Sequence, residues 1–445
     1  MNASLINATH DPALRSWVAS ANLPGADFPI QNLPFAVFSV RATDAARRCG
    51  VGIGERILDV AACAPLLTGL AAEAAQACAA TTLNALMALG QAHAQALRAE
   101  LSRLLSAAQT QHREALAQAL HPLADVELHL PVKVGGYTDF FASVHHATNA
   151  GRLFRPDAPL LPNYKYVPVA YSGRANSVRV GGAPVQRPWG QLKAADQSAP
   201  VFAPARRLDY EVELGIYIGA ASQTGRPLAV ADAWPHVFGF SLLNDWSARD
   251  IQAWEYQPLG PFLAKSFATS VAPWVVTAQA LAPFRQPMAQ RAPGDPAPLA
   301  HLFDAADQAL GGVNVEIEAW LRSARMRDEE RPAQRLSRSN TATLYWSFAQ
   351  MLAHHTSNGS ALDTGDLLGS GTISGSSADA LGSLLELTRG GAEALTLAAT
   401  QEQRTFLQDG DEVSLRARSE RPGFVGIGWG DCTATLGAAT ATPLG

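Results

Sequence analysis

The sequence predicts a mainly β protein of the α+β class, built as a small N-terminal domain followed by a large one. Three observations support this. A chain of 445 residues exceeds what one ordinary hydrophobic core organises. Its 28 prolines and 36 glycines favour short strands and loops over long helices. Beyond residue 125, long apolar helices do not alternate with strands, which argues against a doubly wound parallel sheet.

Residues 27–60, DFPIQNLPFAVFSV and then RCGVGIGERILDV, read as short strands separated by turn residues. Residues 66–118 are rich in Ala and Leu at helical spacing, as in LNALMALGQAHAQALRAELSRLLSAA, and predict a helical appendix on that small β domain. The segment 119–136, ALHPLADVELHLPVKVGG, mixes prolines with paired glycines, so domains are expected at 1–125 and 126–445. The remainder reads as strands punctuated by Gly and Pro.

The charge balance, 34 basic against 39 acidic residues, contains no basic block, and nucleic acid is not an expected partner. The opening MNASLINATHDPALRSW lacks a basic segment followed by an apolar one, so a cytoplasmic protein is expected. The most apolar long stretch, Val60–Ala108, carries Glu73, Arg98, Glu100 and Arg103, and no membrane partner is expected. The cysteines at 49, 63, 78 and 432 show neither a disulfide framework nor thiolate metal spacing. P-loop, G-x-G-x-x-G, H-E-x-x-H and G-x-S-x-G patterns are missing.

The chemistry lies in acids set among apolar residues. In RRLDYEVELGIYIG (206–219), strand alternation puts Asp209, Glu211 and Glu213 on one face and Tyr210, Val212, Leu214, Ile216 and Ile218 on the other. Asp245 follows the apolar run FGFSLLN, and Asp139 stands between Tyr137 and two phenylalanines. A carboxylate in such surroundings needs a partner or a cation. Oxygens from Asp139, Glu211, Glu213 and Asp245 suit a hard divalent ion, Mg²⁺ or Ca²⁺, and zinc less well, because no His or Cys lies at ligand spacing. Lys265, in PFLAKSFATS, is either a packed stem with its head in water or a cation beside the acids. Arg249, Gln252 and Tyr256 fall at i, i+3 and i+7, on one helix face able to receive carboxylate or keto oxygens.

DFPIQNLPF, TLNALMALGQA, GGYTDFFASVHHATN, RRLDYEVELG, NDWSARDIQAWEYQPLGPFLAKSF, GDLLGSGTISG and TFLQDGDEV occur in this order, and together they resemble the fumarylacetoacetate hydrolase family. The resemblance runs from about residue 27 to the C-terminus and includes the N-terminal block that shorter relatives lack. It implies an SH3-like barrel followed by a mixed β-roll or sandwich catalytic domain, assembled as a homodimer. The implied reaction is hydrolysis of 4-fumarylacetoacetate to fumarate and acetoacetate, the last step of tyrosine and phenylalanine breakdown.

Matched position by position, the resemblance implies metal ligation by Asp139, Glu211, Glu213 and Asp245, with Lys265 and Thr269 at positions associated with Mg²⁺. It implies His146 as general base, oriented by Glu386, and places Arg249 in the site. Substrate contacts are implied at Arg155, Tyr171, Gln252, Tyr256 and Thr372. Phe141 stands where the family pattern has a substrate-binding tyrosine. Two alternatives compete: hydrolysis of a related β-diketone or acylpyruvate, and a non-catalytic Ca²⁺-stabilised binding module, which would have no use for His146, Glu386 and Lys265.

Overall fold

The computed structural model describes residues 6–41, 43 and 46–441, so the first five residues of the opening segment lie outside it. The apolar runs FAVFSV and RCGVGI pair as neighbouring antiparallel strands, Phe35–Val40 and Arg48–Ile53. Arg56–Asp59 and Leu120–Pro122 extend the sheet on one side, and Val126–His129 closes the other side against Phe35–Val40. The result is a five-stranded antiparallel sheet.

The Ala/Leu-rich stretch forms helices Gly69–Ala77, Asn84–Ala88, Gln91–Leu105 and Arg113–Gln118. In the third, Leu97, Leu101, Leu104 and Leu105 line the buried face, at the spacing an amphipathic helix requires. The expected boundary at residue 125 lies immediately before the strand Val126–His129. Val126–His129 completes the first sheet through its pairing with Phe35–Val40, and local composition does not report that long-range pairing.

The large domain is centred on an eight-stranded mixed sheet. Seven of its strands follow the order Ala170–Ser172, Tyr137–Phe140, Leu367–Gly369, Val212–Ile218, Val237–Asp245, Thr269–Val271 and Val178–Val180. A second sheet holds Gln334–Asn340, Glu316–Arg322, Glu412–Ser419, Ile427–Gly437 and Val185–Gln186. Val212, Leu214, Ile216 and Ile218 join the core shared by both sheets. Tyr217, Leu243, Val271 and Leu367, on the opposite face, pack instead with the N-terminal helices and strands. The large sheet is therefore covered on both faces, and every residue of Val212–Ile218 is buried. Among the described residues, no helix is long and apolar enough to cross a membrane.

Candidate active site and metal centre

Strand alternation and strand order together assemble the acids. Tyr137 and Leu243 lie on the face turned to the N-terminal domain, so Asp139 and Asp245, two residues further along each strand, share that face. Glu213 shares it with Tyr217. Between the Asp139 and Glu213 strands runs Leu367–Gly369, with Gly369 in register with Asp139. A Cβ at Gly369 would meet Asp139 Oδ1 at 2.5 Å and Glu213 Oε2 at 2.9 Å, so the bare glycine makes room for both carboxylates. Gly371, at φ +74° and with a Cβ position only 2.2 Å from the Phe140 carbonyl, turns its N–H onto Glu213 Oε2 (3.0 Å).

Asp139, Glu213 and Asp245 place one potential ligand atom each within 4.8 Å of the others, all buried. One oxygen of each is engaged. Tyr171 Oη lies 2.9 Å from Asp139 Oδ2 and 3.0 Å from Asp245 Oδ2, and Tyr137 Oη lies 3.3 Å from Asp139 Oδ2. The other oxygens, Asp139 Oδ1, Glu213 Oε1 and Asp245 Oδ1, are buried without a hydrogen-bond partner. Burial first, and then the neighbouring carboxylates, hold all three groups above the usual carboxylate range, with Lys265 only partly opposing. Three unpartnered oxygens on three mutually repelling acids are a donor set that a hard divalent cation fits.

Glu211 stands apart from these three. Its Oε2 accepts from Lys265 Nζ and its Oε1 from Arg249 Nη1 (2.7 Å). Burial pushes its carboxyl up, but Lys265, Arg249 and His146 outweigh that and keep it well below the carboxylate range. Lys265 Nζ also lies 2.5 Å from Asp245 Oδ2, so its head is buried among acids rather than in water. Thr269 is buried in register with Asp245 on the adjacent strand.

Strand alternation alone puts Asp209 on the face of Glu211 and Glu213. The strand breaks at Tyr210–Glu211, and Asp209 instead pairs with Arg249 (Nη2 to Oδ2, 2.8 Å) and accepts the backbone N–H groups of Leu384 and Leu385 (2.8 and 2.9 Å). One fully buried carboxylate thus joins the cavity arginine to the helix Leu384–Leu387. Asp209→Ala is expected to cost about 3–5 kcal/mol of stability, because it removes one of the two carboxylates of buried Arg249 and leaves two buried backbone N–H groups without an acceptor. A denaturant midpoint that falls with an unchanged slope checks this.

The residues around Glu386 also read as a half-exposed strand, yet they form that short helix, capped by Ser383. His146 lies on the helix Val144–Phe154, capped by Ser143. Its Nδ1 is 2.7 Å from Glu386 Oε2, and its Nε2 faces Glu211 Oε1 at 3.9 Å. Burial raises the Glu386 carboxyl, but His146 and hydrogen bonds from Asn149 and Ser374 prevail and lower it. Phe141 packs edge-on to His146 with ring centroids 5.3 Å apart.

One cavity of about 420 Å³ brings most of the expected residues together. Its wall includes Asp139, Glu211, Glu213, His146, Lys265 and Arg249 on the chemical side. Phe141, Arg155, Tyr171, Gln252, Tyr256 and Thr372 also line it. Arg249 and Gln252 share a helix face as their spacing predicts, with Arg249 Nη1 3.2 Å from Gln252 Oε1. Asp245, Thr269 and Glu386 stand behind this wall. Tyr137, Asn149, Ser374 and Ser383 escaped the sequence reading. Tyr137 has a signal in its place two residues before Asp139 on the same strand face, and Asn149 has one in its i+3 spacing from His146.

Comparisons with known proteins agree with this architecture. Residues 31–131 match the family model described as "Fumarylacetoacetase N-terminal", and residues 136–437 match "Fumarylacetoacetate (FAA) hydrolase C-terminal". The rat fumarylacetoacetase is 43% identical over 411 residues, covering 91% of this chain and 95% of that protein. The Caenorhabditis elegans and human fumarylacetoacetases are 44% and 42% identical, each over 91% of this chain and 95% of their own length. Among solved structures, a fumarylacetoacetate hydrolase from Exiguobacterium antarcticum matches with a TM-score of 0.50 and 17% identity. It covers 91% of this chain and 99% of its own, a likeness of fold. With both family models matched in order and more than two-fifths identity across nearly the whole length, this chain belongs to the fumarylacetoacetate hydrolase family.

Proposed function

We propose that this chain hydrolyses the carbon–carbon bond of 4-fumarylacetoacetate to fumarate and acetoacetate, the last step of tyrosine and phenylalanine breakdown. The observation that carries the reading is a buried His146–Glu386 pair facing, across one cavity, an acidic centre with three unpartnered oxygens. Full-length identity to fumarylacetoacetases supports the choice of substrate.

Breaking this bond by hydrolysis releases a carbanion, so the site must activate water and accept negative charge on the diketone oxygens. His146, its Nδ1–H held by Glu386, takes a proton from water at Nε2. Lys265 and Arg249 face the cavity as buried cations, and with Gln252 they stabilise the charge that develops on oxygen. The leaving carbanion takes up the proton that His146 took from water, which restores the neutral imidazole. Arg155, Tyr171, Tyr256 and Thr372 orient the substrate's terminal carboxylates from the cavity wall. Asp139, Glu213 and Asp245, with Glu211 behind Lys265, would hold Mg²⁺ or Ca²⁺, which supplies Lewis acidity to the diketone. The same reading gives a cytoplasmic homodimer.

Purified protein is expected to consume 4-fumarylacetoacetate, followed by its absorbance, and to stop after dialysis against a chelator. No turnover with any divalent ion, together with turnover of an acylpyruvate, would replace the substrate assignment. Phe141→Tyr is expected to lower KM by roughly 5-fold with little change in kcat, because one added hydrogen bond contributes about 1 kcal/mol. Steady-state kinetics on both proteins check it.

A further inference from the structure

The helices that carry His146 and Glu386 are tied together by neutral side chains that line neither the acidic centre nor the cavity. Ser143 Oγ accepts the His146 N–H (3.4 Å) and donates to the Ser374 carbonyl (3.0 Å). Ser374 Oγ donates to Glu386 Oε2 (2.9 Å) and accepts the Gly382 N–H (3.0 Å). Ser383 Oγ donates to the same carboxylate oxygen (3.0 Å), and Asn149 Nδ2 donates to Glu386 Oε1 (2.9 Å). With His146 Nδ1, four donors converge on one buried carboxylate. Asn149 follows His146 by three residues, so the helix itself sets both side chains towards Glu386.

We infer that Asn149 and Ser374 are positioning residues. They lock the Glu386 carboxylate so that it can only accept the Nδ1 proton of His146, which leaves Nε2 bare towards the cavity. The inference rests on the dyad role proposed above. A neutral imidazole carries its proton on either nitrogen, and an ionised carboxylate is an acceptor only, so a fixed carboxylate selects one tautomer. Asn149 holds the second oxygen and stops the carboxylate from turning. Ser374 completes the first oxygen and joins the two helix starts.

The test uses the full-length protein labelled with ¹⁵N-histidine, His146 being assigned by the signals lost in His146→Ala. Wild type is expected to show the Nδ1–H tautomer. Asn149→Ala and Ser374→Ala are each expected to lower kcat by roughly 10- to 100-fold with KM within about twofold, and to give mixed tautomers. Asn149→Asp, equal in size but bringing a second carboxylate, is expected to lose more than Asn149→Ala. If Ser374→Ala fails to fold, the half-buried Asn149 carries the test alone. A wild-type proton on Nε2, or a folded Asn149→Ala with wild-type kcat and tautomer, overturns the inference. If wild type leaves 4-fumarylacetoacetate untouched but shows the Nδ1–H tautomer, mixed in the alanine variants, the positioning role stands and the substrate assignment falls.

Discussion

His146→Ala is expected to lower kcat by roughly 10²- to 10⁴-fold, the contribution of a positioned general base. The variant should still bind its divalent ion, because Asp139, Glu213 and Asp245 remain grouped without the imidazole, which lies 3.9 Å from Glu211 Oε1, and Glu211 keeps its Lys265 and Arg249 contacts. The measurement pairs single-substrate kinetics with metal content after gel filtration. Loss of metal together with activity would move His146 into the metal centre. Full activity would remove it from catalysis, and a merely metal-stabilised binding module would regain favour. Glu386→Gln keeps the shape but offers His146 an amide that both donates and accepts, so it too should lose turnover, through the wrong tautomer.

Glu213→Gln is expected to change stability in opposite directions with and without metal. In chelator, the native state crowds three buried carboxylates, each with one oxygen lacking a hydrogen-bond partner, and Lys265 offsets their charge only in part. Removing one charge relieves that repulsion, and the apo variant should gain about 1–3 kcal/mol over wild type. With saturating Mg²⁺ or Ca²⁺, the variant should gain less from the ion than wild type and should lose most of its turnover.

The pH dependence follows from the same cause. The folded carboxyls of Asp139, Glu213 and Asp245 lie above their unfolded values, so the native state binds more protons than the unfolded one. Apo stability from this set should therefore be greatest below the unfolded carboxylate range, near pH 4. It should fall as pH rises towards the elevated folded values. Glu213→Gln should flatten that fall, and bound metal should do the same. Chemical denaturation at pH 5 and pH 7.5, with and without chelator, gives all of these quantities. An apo wild type that gains stability over this range relative to Glu213→Gln would show that the carboxylates do not repel one another.

The local features of this chain are readable from its residues. Apolar alternation marks the strands of the first sheet, Leu spacing marks the helix Gln91–Leu105, and apolar neighbours around Asp139 and Asp245 mark acids that need a partner. The motifs in order along the chain point to the family, and the i, i+3 spacing of Arg249 and Gln252 puts them on one helix face. These signals are short-range, and so alternation and helical period capture them. The division of labour among the acids is not short-range. Glu213 turns to Asp139 because an intervening strand ends in a glycine at Gly369. Glu211 turns instead to Lys265 and Arg249, and Asp209 leaves the set because the strand breaks after it and Arg249 and the Leu384–Leu387 helix meet it there. Glu386 becomes the partner of His146 only because two capped helices begin side by side. The sequence determined which residues carry charge within apolar surroundings. Long-range strand pairing and packing on both faces of the large sheet decided which of those charges meet a cation, which meet a base, and which hold the frame.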